Sequence, residues 1–250
     1  MSQNPIPTDI AHGVIPLDDT PEDSAFEDFI YLVSHDVRNS VRALIELPQW
    51  IEQDITNAGV KIEGPLAEKI SLMNTHTGRL DRMLVDMLAF SRVGRMQNYG
   101  QIDLNTVLQE VLEGMRVPAG FTVRSKFSAD TLGMGDRDTF TLLMQLISNA
   151  IKHHDKDQGD VLLTSDEENE VIALRVSDNG PGIEREFHDE VFAAMTTLQP
   201  RDEVEGSGMG LAIVHKIARH YGGQVSIGNG LDGRGTMIEV QVPKTPAAQH

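Results

Sequence analysis

Apolar residues in the first third of the chain recur at alternating spacings of four and three, which is typical of an α-helix that buries one seam against other helices. Seven of the eight seam positions are apolar. These positions are Phe26, Ile30, Val33, Val37, Ser40, Leu44, Leu47 and Ile51. With Ile30 at heptad position a and Val33 at d, His35 falls at f, the position farthest from the seam. The pattern predicts a long helix with a histidine on its exposed face.

The same spacing recurs farther along the chain and predicts a second helix. Its seam positions are Leu66, Ile70, Met73, Thr77, Leu80, Leu84, Met87 and Ser91. Residues 57–65 contain two glycines and a proline, which predicts a turn, so the two helices would form an antiparallel hairpin. The first helix should begin near Pro21 and run to about Ile55. A proline inside a helix removes a backbone hydrogen bond, so we expect a kink at Pro48, or as the less favoured alternative a break there.

The hairpin bears on the oligomeric state. A lone hairpin leaves half of its apolar seam in water, and burial of the other half does not offset the entropy lost in ordering two long helices. We therefore expect a homodimer in which two hairpins close a four-helix bundle. The alternative is that the hairpin folds back on the C-terminal part of its own chain.

From position 99 onward the pattern changes to short alternating runs separated by glycine-rich turns. Helices are predicted at 104–115, 136–153 and 210–221, and strands at 121–127, 161–165, 171–177, 224–228 and 237–242. One sheet under several helices, after a helical hairpin, gives the fold class α+β. The predicted divisions are a polar, acidic and disordered leader at 1–24, the hairpin at 25–97, a second domain at 98–245 and a tail at 246–250.

Composition excludes several classes of function. The 250 residues carry a formal net charge of −17, which repels a phosphate backbone, so nucleic acid is not expected as a partner. The chain has no cysteine, which excludes thiol nucleophiles, disulfides and thiolate metal sites. It also contains no run of eighteen apolar residues and no secretory signal, so we expect no membrane span and a cytoplasmic location.

Three glycine clusters in the second half permit close approach of a ligand to the backbone. They are Asp-Asn-Gly-Pro-Gly-Ile at 178–183, Gly-Ser-Gly-Met-Gly-Leu at 206–211 and Gly-Arg-Gly-Thr at 233–236. The second cluster opens a predicted helix, so its N–H groups and the positive end of the helix dipole suit phosphates. Glycine turns are common, and one cluster alone is weak. Their order, after Asn-Ala-Ile-Lys-His at 149–153 on a helix, favours a phosphate site.

These motifs resemble the core of the sensor histidine kinases over residues 22–242. In the family's order, the matches are the H box around His35, the N box at 149–153, the first glycine box at 178–183, the F box at 191–192 and the second glycine box at 206–210. The segment at 196–205 is most similar to that of phytochrome-like members. The resemblance implies a dimeric phosphotransfer hairpin followed by an ATP-binding α/β sandwich.

The resemblance also implies roles for single residues. His35 would receive the γ-phosphoryl group of ATP, with Asp36 accepting the proton of the other ring nitrogen. Asn39, one helical turn after His35, would help to orient the water that removes phosphate from the partner's aspartate.

In the implied ATP site, Asp178 would accept the exocyclic amine of adenine, and Gly180 and Gly182 would let the backbone close over the base. Asn149 would bind Mg²⁺ through its side-chain oxygen, a donor that suits a hard cation. The other nucleotide-binding residues implied are Lys152, His153, Arg201, Gly206, Gly208, Gly210 and Thr236.

Two positions depart from the family pattern. Ser40 stands where the family usually has a proline, and Gln145 stands where many members have a first N-box asparagine. The departure at Gln145 leaves Asn149 as the implied contact to Mg²⁺.

The implied function is ATP-dependent autophosphorylation of His35 and relay of the phosphoryl group to an aspartate on the receiver domain of a response regulator, with phosphatase activity towards the same partner. The input would come from a separate sensory protein, from the leader, or from a sensory segment outside this sequence. One alternative is a non-catalytic phosphotransfer or scaffold protein, and another is an ATPase of the wider gyrase, mismatch-repair and chaperone group. The intact glycine boxes and Asn149 argue against the first, and the helix of His35 argues against the second.

Overall fold

A computed structural model describes residues 21–95, 97–198 and 206–244, with side chains in the first helix described at position 37 and from 40 onward. Two long helices open the chain, α1 (Pro21–Asn57) and α2 (Pro65–Arg92). Gly59 and Gly64 both adopt positive φ, 71° and 58°, in the turn between them. The predicted hairpin is confirmed. α1 continues through Pro48, so the alternative of a break at that residue is wrong.

Within one chain, α1 does not bury the part of its predicted seam that the structure describes. Among the described side chains of this helix, Val41 and Pro48 are buried. The seam residues Leu44, Leu47 and Ile51 remain 40–46% exposed. An apolar face of α1 is therefore left outside the hairpin.

The seam of α2 is divided between two environments. Ile70 and Leu84 are buried. Leu66, Met73 and Leu80 follow one another at heptad spacing and are 37–42% exposed. Because this spacing places the three side chains on one stripe, α2 also keeps an apolar face in contact with solvent.

The second half of the chain is a mixed sheet covered by helices. The helices are α3 (Leu104–Gly114), α4 (Asp136–Lys152) and α5 (Gly210–His220), and the strands are β1 (Tyr99–Asp103), β2 (Phe121–Phe127), β3 (Thr131–Gly135), β4 (Gly159–Glu168), β5 (Val171–Asp178), β6 (Gln224–Asn229) and β7 (Thr236–Pro243). The main sheet has the order β2-β4-β5-β7-β6, in which β2 and β4 are parallel and the other pairs antiparallel. The predicted α+β class is confirmed.

The core lies between this sheet and its helices. Alternate residues of β7, such as Ile238 and Val240, are buried on one face of the sheet. Ile213 and Ile217 of α5 and Leu146 of α4 are buried in the same cluster. The alternation of the strands and the apolar stripes of the helices thus agree on a single core. Among the described residues, no helix combines the length and the apolar character needed to cross a membrane.

Sequence analysis missed the two-stranded antiparallel sheet of β1 and β3. β1 is exposed at every position except Ile102, so it has no alternating apolar pattern. β3 is a Thr-Leu-Gly-Met-Gly segment, and glycine is depleted in strands. Leu132 and Met134 of β3 are nevertheless buried, so packing has overridden weak strand propensity.

A buried carboxylate ties the segment that follows α2 to the sheet domain. Asp138, 2% exposed, accepts hydrogen bonds at Oδ2 from the Gly94 N–H (2.9 Å), Gln97 Nε2 (2.7 Å) and the Tyr221 hydroxyl (2.9 Å). The Tyr221 hydroxyl accepts in turn from the Gly135 N–H at 3.0 Å. Burial, and then the charge of Asp138, raise the pKa of Tyr221, so its hydroxyl keeps the proton that it donates.

A second contact ties the end of α2 to α5. Lys216 Nζ donates a hydrogen bond to the Phe90 carbonyl at 2.9 Å and lies 4.3 Å from the centre of the Phe90 ring. The ammonium therefore meets a backbone carbonyl in the last turn of α2, where the helix dipole favours a positive charge.

Tyr221→Phe should lower the free energy of unfolding by about 1 to 3 kcal/mol, because Asp138 loses a donor and the Gly135 N–H loses its acceptor in a buried place. Urea denaturation followed by circular dichroism measures the change. Tyr99→Phe is the comparison: it removes a hydroxyl that donates to the Gly94 carbonyl of the same joint, but at an exposed position, so it should cost less, about 0.5 to 1 kcal/mol. Equal losses in the two variants would contradict this account of the joint.

Candidate functional site

A cavity of about 350 Å³ lies where α2, α4, the loop after β5 and the start of α5 meet. Nine of the eleven residues predicted to bind ATP line it. They are Asn149, Lys152, His153, Asp178, Gly182, Gly206, Gly208, Gly210 and Thr236. Gly180 is not among the lining residues, although its N–H supports Asp178, and Arg201 lies outside the described part of the chain.

α4 supplies the polar wall of the cavity. Its inner face buries Leu143 and Ile147 in the core. The last turns of the helix bring Asn149, Lys152 and His153 to the cavity. Core packing of the apolar stripe therefore fixes the direction of the three polar side chains, which the resemblance to the N box had assigned to the site.

Asp178 ends β5 and is 9% exposed. Its Oδ1 accepts hydrogen bonds from the N–H groups of Gly180 (2.8 Å) and Thr236 (3.1 Å). Burial raises the pKa of Asp178, and these two bonds oppose the rise. Gly235, at φ 82°, lies so close to the Asp178 backbone that a side chain would collide with it. The third glycine cluster thus permits the backbone to close around the carboxylate.

A histidine that sequence analysis did not single out supports the loop after Asp178. The N–H of Lys156 donates to His154 Nδ1 at 3.1 Å, so Nε2 carries the ring proton and donates to Asn179 Oδ1 at 3.0 Å. The same Asn179 oxygen accepts from the Asp160 N–H at 2.9 Å. The ring of His154 is buried, and no pattern of spacing marks it because its partners are distant in sequence.

The glycine loop 206–210 forms the wall at the start of α5. Gly208 has φ 74°, and a Cβ at this residue would lie 2.6 Å from the Thr196 carbonyl oxygen. A side chain at Gly206 would collide with Lys152 Nζ, so the lysine ammonium lies against the loop backbone. Close approach of the backbone therefore requires glycine at position 208, whereas at Gly206 only the flexible end of Lys152 would have to move. The loop places the first N–H groups of α5 at the cavity.

The fourth wall comes from α2, which sequence analysis did not predict. Arg82, Val85 and Asp86 line the cavity from this helix. Asp86 Oδ2 accepts a hydrogen bond of 2.5 Å from the hydroxyl of Ser207, and the same hydroxyl accepts from the Met209 N–H at 3.1 Å. No local pattern could indicate a contact between residues 121 positions apart in sequence.

The charges around Lys152 act in opposite directions. Burial lowers the pKa of the Lys152 ammonium, the Asp86 carboxylate opposes that shift, and the Arg82 guanidinium adds to it. The cavity thus holds a partly desolvated ammonium beside the start of a helix, which is an arrangement suited to an anion.

The remaining wall is apolar. Met144, Ile183, Val191 and Leu211 line the cavity. Val191 belongs to a short 3-10 turn, Glu190–Phe192, at the position of the predicted F box. An apolar slot that also contains a buried carboxylate suits a flat heteroaromatic ring with an amino group.

The side-chain oxygens in the cavity can bind Mg²⁺ only together with the phosphate oxygens of a ligand. Among the residues that the structure describes, no group of three or more His, Cys, Asp or Glu side chains could hold a metal ion. Asn149 and Gln145 bring amide oxygens to the cavity, and Gln145 Oε1 lies 2.9 Å from where a Gly210 Cβ would stand. Mg²⁺ usually takes one or two protein oxygens and completes its shell with phosphates and water, which these residues allow.

The predicted phosphoacceptor group lies on α1. His35, Asp36 and Asn39 are in the helical span Pro21–Asn57, as the periodicity predicted. Their side chains lie outside the described part of the structure, so their roles stay predictions.

The chain is similar in sequence to known ATPases and histidine kinases. Residues 135–246 match the family of histidine kinase-, DNA gyrase B- and HSP90-like ATPases. Cyanobacterial phytochrome A of Nostoc sp. is 29% identical over 223 residues, which are 86% of this chain and 28% of that protein. The chain spans less than a third of the length of the first curated relatives that it matches, at 28%, 29% and 25%.

Two solved structures share the fold. Full-length ShkA in complex with AMPPNP has a TM-score of 0.64 and 24% identity, covering 92% of this chain and 47% of ShkA. The histidine kinase ThkA in complex with response regulator protein TrrA has a TM-score of 0.60 and 19% identity, covering 93% of this chain and 70% of that chain. Family match, sequence likeness and fold together show that this chain resembles the catalytic core of the sensor histidine kinases, with the matched ATPase domain at residues 135–246.

Proposed function

We propose that this chain binds ATP with Mg²⁺, transfers the γ-phosphoryl group to His35 and relays it to an aspartate of a response regulator. The observation that carries the proposal is the single cavity in which a buried carboxylate, an N-box asparagine and a glycine loop meet. The functional division proposed is a phosphotransfer hairpin at 25–97 and an ATP-binding domain at 98–245.

Adenine recognition depends on Asp178. Both of its N–H hydrogen bonds end on Oδ1. Oδ2 therefore keeps accepting capacity, and we expect it to accept the exocyclic amine of adenine. The apolar residues Met144, Ile183 and Leu211 would contact the faces of the base. A guanine ring would present a carbonyl oxygen to the same carboxylate, so the site favours adenine.

The phosphates would lie at the start of α5. The loop 206–210 presents backbone N–H groups there, the helix dipole is positive at this end, and Lys152 adds an ammonium. Asn149, with Gln145 nearby, would hold Mg²⁺, which when bound neutralises charge on the phosphate oxygens.

His35 would act as the nucleophile. One ring nitrogen attacks the γ-phosphorus, the bond from phosphorus to the bridging oxygen breaks, and ADP leaves. The ring becomes positively charged, and the proton on its other nitrogen passes to Asp36. Phosphohistidine is labile, which suits onward transfer to an aspartate. The ThkA structure contains a response regulator, and we propose a partner of the same kind here.

The exposed apolar stripes of the hairpin favour a homodimer. Leu44, Leu47 and Ile51 on α1 and Met73 and Leu80 on α2 remain in solvent within one chain. A second hairpin would cover both stripes and close a four-helix bundle, since apolar seams at heptad spacing pack in this way.

His35→Gln should abolish labelling by γ-labelled ATP while leaving nucleotide binding by calorimetry unchanged, because the helix of His35 contributes no residue to the described cavity lining. The label on the wild-type chain should be lost in acid and stable in alkali. His76→Gln, which changes an exposed histidine on α2, is the matched control and should keep labelling. Label that persists in the His35 variant would move the phosphoacceptor elsewhere. A non-catalytic scaffold would show no label in any variant.

Asp178→Asn should weaken ATP binding by about 1.5 to 3 kcal/mol, the range for a hydrogen bond to a charged group. The Tm should not fall. Burial raises the pKa of Asp178, so the native state holds this proton more tightly than the unfolded chain, and ionisation above that pKa disfavours the fold. Calorimetric titration and thermal unfolding measure the two effects. Asp130→Asn makes the same charge change at an exposed site. An unchanged Kd at Asp178→Asn would place adenine elsewhere.

Asn39→Ala should keep autophosphorylation within about a few-fold and slow the dephosphorylation of the phosphorylated regulator in the presence of ADP. The physical reason is that an amide one turn from His35 can orient water while being too weak a base to take the histidine's proton. Gln49→Ala alters an exposed amide on the same helix and serves as control. Dephosphorylation at the wild-type rate would remove Asn39 from the reaction.

A further inference from the structure

The carboxylate of Asp86 lies in the cavity although α2 lies outside the ATPase domain. Its Oδ2 is 2.5 Å from the hydroxyl of Ser207, which is 5% exposed. Ser207 stands inside the glycine loop, one residue after Gly206 and three before α5 begins. The hairpin therefore places a negative charge at the loop where nucleotide phosphates would bind.

The groups around this carboxylate are donors suited to phosphate. Ser207 gives a hydroxyl, and Lys152 lies against the backbone of Gly206 on the same side of the cavity. Asp86 opposes the effect of burial on the pKa of Lys152, which indicates that the two charges interact. Arg82, one turn before Asp86 on α2, adds a second cation to the same wall. The carboxylate thus occupies the Ser207 hydroxyl and interacts with the Lys152 charge, both of which an anionic ligand would need.

We propose that Asp86 is an internal competitor of the nucleotide phosphates: a bound ATP displaces its carboxylate from Ser207 and so releases the glycine loop from the hairpin. This inference rests on the function proposed above and concerns the regulation of that site. It assigns to Asp86 a role in coupling nucleotide occupancy to the contact between hairpin and ATPase domain.

The physical basis is the incompatibility of two anions that use one set of donors. Like charges at short range in a partly desolvated cavity repel each other strongly, and a phosphate that takes the donors leaves the Asp86 carboxylate unpaired. The repulsion increases with the number of phosphate charges. Asp86 should therefore weaken the binding of ATP most, that of ADP less and that of AMP least. The binding of adenosine, which carries no charge, should not depend on Asp86.

The first test measures the Kd of ATP, ADP, AMP and adenosine by calorimetry for the wild-type chain and Asp86→Asn. The variant keeps the size of the side chain and removes its charge. The Kd of ATP should be at least about fivefold lower for the variant than for the wild-type chain. The Kd of ADP should fall by less, and the Kd of adenosine should not change. Glu68→Gln makes the same charge change at an exposed position roughly 27 Å away along α2 and should change none of the four values.

Two outcomes would overturn the inference. An equal Kd for ATP in the wild-type chain and in Asp86→Asn would show that the carboxylate does not compete. An equal weakening of all four ligands would show that Asp86 only supports the loop. Neither outcome concerns the proposed function itself, which fails instead if the wild-type chain binds none of the phosphorylated nucleotides.

The second test measures the release of the loop from the hairpin. The chain has no cysteine, so Ser71→Cys on α2 and Ser125→Cys on β2, both exposed, can carry a pair of spin labels. With labelled chains diluted in unlabelled protein, AMPPNP should shift the label-to-label distance. Asp86→Asn should show part of that shift without nucleotide. An identical distance distribution in all states would contradict the release.

Discussion

The packing of α5 on the sheet is the constraint on which the site depends. Ile213, Val214 and Ile217 are fully buried, so the helix has one possible orientation over the sheet. That orientation directs its first turn, and the glycine loop before it, into the cavity beside α4. The hydrophobic core thereby determines where positive electrostatic potential is available for an anion. A ligand site has been built from ordinary helix packing together with glycines that allow close approach.

Most of this arrangement could be predicted from the sequence because it is local. β2 occupies 121–127 as predicted, and the ends of α4 and α5 lie one residue before their predicted ends. Alternation and helical periodicity reflect which residues are buried, and in this chain burial determines where the helices and strands form. The individual nucleotide residues were located through the resemblance, because the glycine clusters and the N box follow one another along the chain in the family's order, which can be seen without knowledge of packing.

Contacts between distant residues could not be predicted. Asp86 with Ser207, and Asp138 with Tyr221, join residues 121 and 83 positions apart, and neither pair has a spacing that marks it. The hairpin gives a subtler example. Heptad spacing identifies which positions are apolar, but several faces of a helix can be apolar at once. In the described part of α1, Val41, outside the predicted seam, is buried, whereas Leu44 and Leu47 stay exposed. The pattern shows which faces of the helix are apolar, but it does not show which surfaces pack against them.

The joint after α2 has a mechanical consequence. The carbonyl of Phe90 is held by Lys216, and the N–H of Gly94 is held by Asp138, so both sides of the helix end are tied to helices of the ATPase domain. A flexible linker would let the hairpin rotate without moving the ATPase domain, but this hydrogen-bonded joint allows little independent rotation. Its two hydrogen bonds, each 2.9 Å long, weaken steeply when their distance or angle changes. The joint should therefore stay intact during small rotations of α2 and break in one step when the rotation becomes large.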